Sequence, residues 1–185
     1  MNALAHAAEA LYAPDTSPII NLMAGDAARA LATALPAIAG DPVNVSARTE
    51  ALYDAWLSGV CLGSTTMSLH HKLCHILGGT FNLPHAEVHT AVLPYVLAYN
   101  LAAAPRAREI LSIAIGADDP ASAIYALEQQ IGVRTSLRDL GMPEDGIDTV
   151  VKKATVNPYA NPRPVSPDAV LKLIAAAYEG KPPST

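Results

Sequence analysis

Apolar residues return every three to four positions along most of this chain, broken by Gly, Pro and capping residues, which is the helical period. Residues 1–12 read as a helix with Leu4, Ala8 and Leu11 on one face and no residue ahead of it to cap the first N–H groups. Pro18 suits a first turn, and a second helix over 19–35 carries Ile20, Met23, Ala27, Leu31 and Ala34 inward, with Pro36 expected to stop or kink it. Asn44 or Ser46 can cap a third helix over about 47–63, whose Leu52, Trp56, Val60 and Gly63 are spaced to pack inward. Residues 63–66 should break the chain before a helix over 67–77, stopped by Gly78-Gly79. Further helices are predicted over 85–99, 105–115 and about 120–131, with a short one capped by Thr135 or Ser136 and ending at Leu140. Two more run to Thr155 and from Ser166-Pro167-Asp168 to Tyr178, the last stopped by Gly180. Residues 157–164 (NPYANPRP) read as an ordered proline loop. No segment alternates with period two, and no Gly-rich phosphate loop follows a strand. The expectation is one all-α domain over residues 1–180 with a frayed tail over 181–185.

Composition narrows the class. At 185 residues the chain can bury a real core, and its hydrophobic share of 51% leans on Ala, Leu, Ile and Val, with one Phe and one Trp. A net charge of −5 without a basic run argues against a nucleic-acid partner. No apolar run reaches the length of a membrane span without a charge, Pro or Gly, so no membrane association is expected. The opening segment lacks the basic start and apolar centre of a signal peptide. Cys61 and Cys74 sit in helical segments as small core residues rather than a disulfide framework, which points to a reducing cytoplasm.

Chemistry is concentrated in one stretch. Residues 65–94 hold five of the six histidines, His70, His71, His75, His85 and His89, and His6 lies on the first helix. His71 and His75, four apart, stack on one helical face. His85 follows ten residues later across the Gly-Gly segment, so the chain can double back and present a third imidazole, with His6 as a fourth. Three or four neutral imidazoles suit Zn²⁺ or Fe²⁺. The bland alternative for a helical HxxxH pair is a solvated surface. His70 points about 100° away from His71, toward solvent or a domain contact, and His89 can join the pocket or flank it.

The segments MNALAHAAEALYAPD, HHKLCHILGGTFNLPHAEVHTAVLPYVLAYN and NPYANPRP, in that order, resemble the C-terminal half of the iron-containing (group III) alcohol dehydrogenases, and within them the maleylacetate reductases. The resemblance implies an all-helical domain that follows a Rossmann-like nucleotide-binding domain, nothing of which is found in this chain. It implies a divalent metal (Fe or Zn) held by an aspartate, a histidine four residues on, and two later histidines fourteen apart. By that pattern His6, His71 and His85 match the histidine ligands, and His75 matches an additional active-site histidine near cofactor and substrate. The aspartate position is Asn2, which removes a unit charge and the hardest ligand.

Without a metal, N–H donors must polarise the substrate oxygen. His75 is then the expected proton donor, with His71, His85 and His6 as the donor cage and Asn2 beside them. A dicarboxylate substrate would need cations, for which Lys72 and Arg163 are candidates. The resemblance further implies NADH or NADPH bound mainly by a nucleotide-binding domain supplied elsewhere, a small-molecule carbonyl or dicarboxylate substrate, reduction of 2-maleylacetate to 3-oxoadipate, and a homodimer. On this reading the chain carries half of an active site and has no appreciable activity alone. Two alternatives stand beside it. One is a metal-binding module, hydrolytic or not, although Lys72, Leu73 and Cys74 leave no carboxylate between His71 and His75 to act as base. The other is a non-catalytic helical unit that packs against a partner.

Overall fold

The computed structural model describes residues 1–183, so of the expected frayed tail Ser184 and Thr185 lie outside the described residues. The described residues form nine helices and no strand: α1 (Asn2–Tyr12), α2 (Pro18–Gly40), α3 (Val45–Ser64), α4 (Leu69–Phe81), α5 (His85–Leu101), α6 (Pro105–Ile115), α7 (Pro120–Gln130), α8 (Gly146–Thr155) and α9 (Pro167–Glu179). Their starts follow the expected cap chemistry. Ser17, Asn44, Asp119 and Ser166 each accept a backbone N–H of the helix that follows, satisfying one of its orphan donors. The stretch 105–130 has a mean hydropathy of 1.3 over its most apolar window, but Gly116, at φ 77°, divides it into α6 and α7.

Two apolar cores share α5. The first surrounds α1 and joins it to α2, α3, α6, α7 and the C-terminal half of α5 through Leu93, Leu97 and Leu101. The second joins α4, α8, α9 and the other face of α5 through Val88, Val92 and Val96. Residues on every side of α1 are buried, among them Leu4, Ala5, Ala7, Ala8 and Ala10, because its alanines let neighbouring backbones close in all round.

Several expected details change. α2 continues through Pro36 to Gly40; the proline removes one hydrogen bond to Ala32, whose surroundings are only half-buried. α3 is turned the other way: Leu52 and Trp56 are 72% and 63% exposed, while Asp54, Leu57, Ser58 and Cys61 face inward. Close packing on α1 and α2 favours small inward side chains, and Ser58 satisfies one Asp54 oxygen at 3.1 Å. Burial pushes the Asp54 carboxyl up to about 7. α4 begins at Leu69, because Thr65 is extended and Thr66 is tied to Asp15. It runs through Gly78 and Gly79 and is stopped instead by Asn82 in the left-handed region (φ 54°, ψ 36°). Residues 135–140 make a turn rather than a short helix, because Ser136 donates its hydroxyl to the Tyr178 carbonyl and the Leu137 N–H bonds Ala177.

Candidate active site at the seam of the two cores

The cluster forms where α1, from the first core, meets α4 and the start of α5, from the second. On α1 the positions 2, 6 and 9 share one face by helical spacing, so Asn2, His6 and Glu9 make a polar stripe on an otherwise apolar helix. Pairs four apart on α4 and α5 supply His71 with His75, and His85 with His89.

All six imidazoles are joined through ring neighbours. His71 lies 4.9 Å from His6, 5.4 Å from His70, 5.0 Å from His89 and 6.3 Å from His75 between ring centres. His89 extends the chain to His85 at 4.4 Å. The structure therefore brings His6, His71, His75 and His85 to one place. His75 and His85 are the exposed members, His6 is half-buried, and His71 is buried.

The residue that organises the cluster is Glu9, which histidine spacing does not single out. It is fully buried. Its carboxylate accepts the Ser68 N–H at 2.9 Å and the His70 N–H at 2.8 Å, so it caps α4 from another helix. It also lies 2.7 Å from His71 Nδ1. Burial alone would raise the Glu9 carboxyl, but the His71 hydrogen bond, the neighbouring imidazoles and the Ser68 N–H outweigh it and hold it below its usual range. An ionised carboxylate only accepts, so His71 must carry its proton on Nδ1. Nε2 is then directed into the cluster, buried and without a hydrogen-bond partner. The available signal for Glu9 was its position: the one acid in a helix of Ala and Leu, in register with Asn2 and His6.

His70 corrects the expectation that it faces solvent. It is fully buried, and its Nε2 lies 3.0 Å from the His89 carbonyl, so it donates there and ties α4 to α5. His89 belongs to the cluster and is fully buried, with neither ring nitrogen bonded. Burial first, then the neighbouring imidazoles, push His89 down to about 2. Burial likewise lowers His70 to about 4, and burial with the charge of His71 lowers His6 to about 4. Burial, His71 and His85 also hold His75 below its ordinary value. The rings of His6, His70, His75 and His89 are therefore neutral near pH 7.

Neither Lys72 nor Arg163 joins the histidine cluster itself. Lys72 turns outward from α4 and stacks over Tyr159, with 4.9 Å from its nitrogen to the ring centre. Arg163 stacks on Tyr99 at 4.3 Å and donates to the Tyr99 carbonyl, roughly 15 Å along α5 from His89. The proline loop that carries it is clamped by a reciprocal amide pair between Asn100 and Asn161 at 2.8 and 2.9 Å. The structure thus gives Arg163 a place in the loop's packing and does not bring it to the histidines.

The donor set suits an ion of intermediate hardness. Two donor atoms on the facing helices are buried and unpartnered, the Asn2 amide oxygen Oδ1 and His71 Nε2. His70, His71 and His89 also offer ring nitrogens within 4.8 Å of one another. The negative charge bound to the cluster is one shell out, on Glu9 behind His71.

A sequence profile of the Fe-containing alcohol dehydrogenase family, C-terminal, matches residues 1–178. The chain belongs to this family. It is 51% identical over its full 185 residues to the maleylacetate reductase of Sphingobium indicum, covering 53% of that protein. The crystal structure of maleylacetate reductase from Agrobacterium tumefaciens superposes with a TM-score of 0.95 at 44% identity, over 98% of this chain and 52% of that one. An iron-containing alcohol dehydrogenase from Corynebacterium glutamicum superposes at 0.89 with 41% identity, over 95% of this chain and 49% of the other. The chain therefore spans about half the length of the relatives it matches, and corresponds to their helical C-terminal half.

Proposed function

We propose that this chain is the active-site helical half of an NAD(P)H-dependent maleylacetate reductase. The observation that carries the reading is the setting of His71. Glu9 fixes its Nδ1 side and leaves Nε2 unpartnered among other imidazoles, in a chain about half identical to maleylacetate reductases along its whole length.

Turning 2-maleylacetate into 3-oxoadipate saturates the carbon–carbon double bond conjugated to a ketone. A reduced nicotinamide, when bound, would supply hydride to the alkene carbon remote from the ketone, and the electron pair would move onto the ketone oxygen as an enolate. One proton then completes the adjacent carbon, so one hydride and one proton are consumed and NAD(P)⁺ is formed. The enolate oxygen needs donors aimed at developing charge. His71, held by Glu9 through Nδ1, turns Nε2 toward that oxygen and offers N–H there when this nitrogen is protonated, and His6, His85 and the Asn2 amide complete the cage. His75, exposed one turn from His71, exchanges with water and supplies the proton. Its lowered pKa makes its protonated form a stronger acid than free imidazole. A divalent ion, when held by His6, His71, His85 and Asn2, supplies Lewis-acid polarisation of the same oxygen. The nicotinamide cofactor is held mainly by a nucleotide-binding domain outside this chain.

The test is to join this chain behind the nucleotide-binding half of the Sphingobium indicum reductase and follow NADH oxidation with maleylacetate. The fusion should turn over, His71→Ala and His75→Ala should each lose about a hundredfold or more in rate, and the chain alone should be inactive. A folded fusion with no turnover, or clear turnover by the chain alone, contradicts the proposal. Metal content decides between two forms of it. Roughly one equivalent of Fe or Zn, lost in His71→Ala, favours the metal-dependent alcohol dehydrogenase type. A folded, metal-free protein favours histidines acting alone.

A further inference from the structure

A groove of about 510 Å³ runs between α4 and the end of α8, lined by Lys72, Ile76, Lys152, Lys153, Val156 and Asn157. Three of the chain's five lysines meet there, in a chain of net charge −5. No carboxylate lines the groove, and none of the three lysines is ion-paired among the described residues. Lysines in the last turn of α8 are favoured by the helix's negative end, which accounts for Lys152 and Lys153 sitting on that helix. It does not account for Lys72 arriving from α4 to face them.

The local structure holds two of the three in place. Lys153 donates to Thr80 on α4 at 3.0 Å, fastening α8 across the groove. The chain leaves α8 through Asn157 in the left-handed region, at φ 50°, and Tyr159 then meets the Lys72 ammonium. No histidine lines the groove, but it flanks the candidate active site along α4. Lys72 and Ile76 follow His71 and His75 directly in sequence, one step round the same helix.

We infer that this groove is the carboxylate subsite of the reductase, with Lys152 and Lys153, together with Lys72, holding the far carboxylate of a dianionic dicarboxylate while its reacting end lies against His71 and His75. The inference rests on the proposed reduction and names the residues that select its substrate class. Ammonium groups suit this task because they attract a carboxylate without demanding one fixed geometry. Lys152 and Lys153 act on position and specificity rather than on the reacting atoms.

The assignment is tested by binding, so it does not depend on turnover. Adipate, its monomethyl ester and inorganic phosphate are titrated calorimetrically into the full chain and into K152Q/K153Q, at low salt. Both lysines are exposed, and circular dichroism checks that the variant keeps its helices. Adipate should bind the parent, the ester should bind more weakly, and the double variant should weaken adipate roughly tenfold, the sum expected for two solvent-facing ion pairs. Equal adipate binding by parent and variant, or none by either, overturns the inference. Phosphate that binds as tightly as adipate and displaces it also overturns it, and assigns the groove to a phosphate group instead. If adipate binds through these lysines while the fusion protein does not reduce maleylacetate, the subsite stands and the reaction assigned to it fails. In an active fusion, K152Q/K153Q should raise KM for the dicarboxylate and leave kcat near its parent value.

Discussion

The two cores of this molecule are packed by different means. Around α1 the first core is largely alanine, and small side chains let α1 be enclosed by α2, α3, α5 and α6. The second core, under α4, α8 and α9, is filled by Leu, Val, Ile, Met and Tyr side chains, among them Leu69, Leu73, Leu77, Val92 and Ile174. The histidine cluster occupies the seam between them. Only a helix buried on every side can bring Asn2, His6 and Glu9 up against another helix's N-terminus, and alanine makes that approach possible. The larger residues then fix α4 and α5 so that their imidazoles meet that stripe.

Removing the link between the cores should have the largest effect. Glu9→Ala leaves the Ser68 and His70 N–H groups and His71 without their shared acceptor, and should cost about 3–5 kcal/mol in chemical denaturation. A loss below about 1 kcal/mol would mean that water replaces Glu9 without penalty and that the seam is not held by it. Within the cores the two packing modes predict opposite sensitivities. Leu73→Ala opens a cavity in the second core and should cost about 2–5 kcal/mol. In the first core the damaging change is enlargement: Ala8→Leu should cost about 1–3 kcal/mol by overpacking. If Ala8→Leu proves neutral, the first core is looser than its buried alanines imply.

The seam also sets an acid limit. His70 and His89 are buried neutral, with values pushed down to about 4 and about 2, whereas the unfolded chain titrates near 6.5. Below about pH 6.5 the unfolded state therefore binds more protons than the folded one. Stability should fall as pH drops from about 6.5 toward 4, by roughly 1.4 kcal/mol per pH unit for each histidine. Loss of the ionised Glu9 adds to it at lower pH, since its value is depressed and its contribution vanishes as pH falls through it. Equilibrium unfolding at several pH values checks the slope, and a flat profile from 7 to 5 contradicts the buried, neutral assignment. The smallest effect belongs to the outer face of α3. Leu52→Gln should change stability by no more than about 0.5 kcal/mol, because the side chain already meets solvent.

That last case shows where sequence reading succeeds and where it stops. Helix spans, the caps at Asn44 and Ser166 and the convergence of His6, His71 and His85 follow from local spacing and from resemblance. The facing of α3 does not. Leu52 and Trp56 look like an inward stripe, and only the demand of α1 and α2 for small neighbours turns Asp54, Ser58 and Cys61 inward instead. His70 was misplaced for a related reason. Of the two flanks 100° from His71, the Lys72 side opens outward while the His70 side packs against α5 and bonds the His89 carbonyl, a difference spacing alone does not give. Glu9 was legible as a lone acid in an apolar helix, but its role depends on α4 arriving N-terminus first, which no local pattern announces.

The most direct test of the account is the protonation of His71. A long-range ¹H–¹⁵N correlation spectrum of the imidazoles, assigned through His71→Gln, reads which ring nitrogen carries the proton. The expected result is a His71 Nδ1–H in a strong hydrogen bond, slow to exchange, that is lost or weakened in Glu9→Gln. A His71 ring with its only proton on Nε2, or with rapidly exchanging protons indifferent to Glu9→Gln, would contradict the claim that Glu9 sets the active face of the cluster.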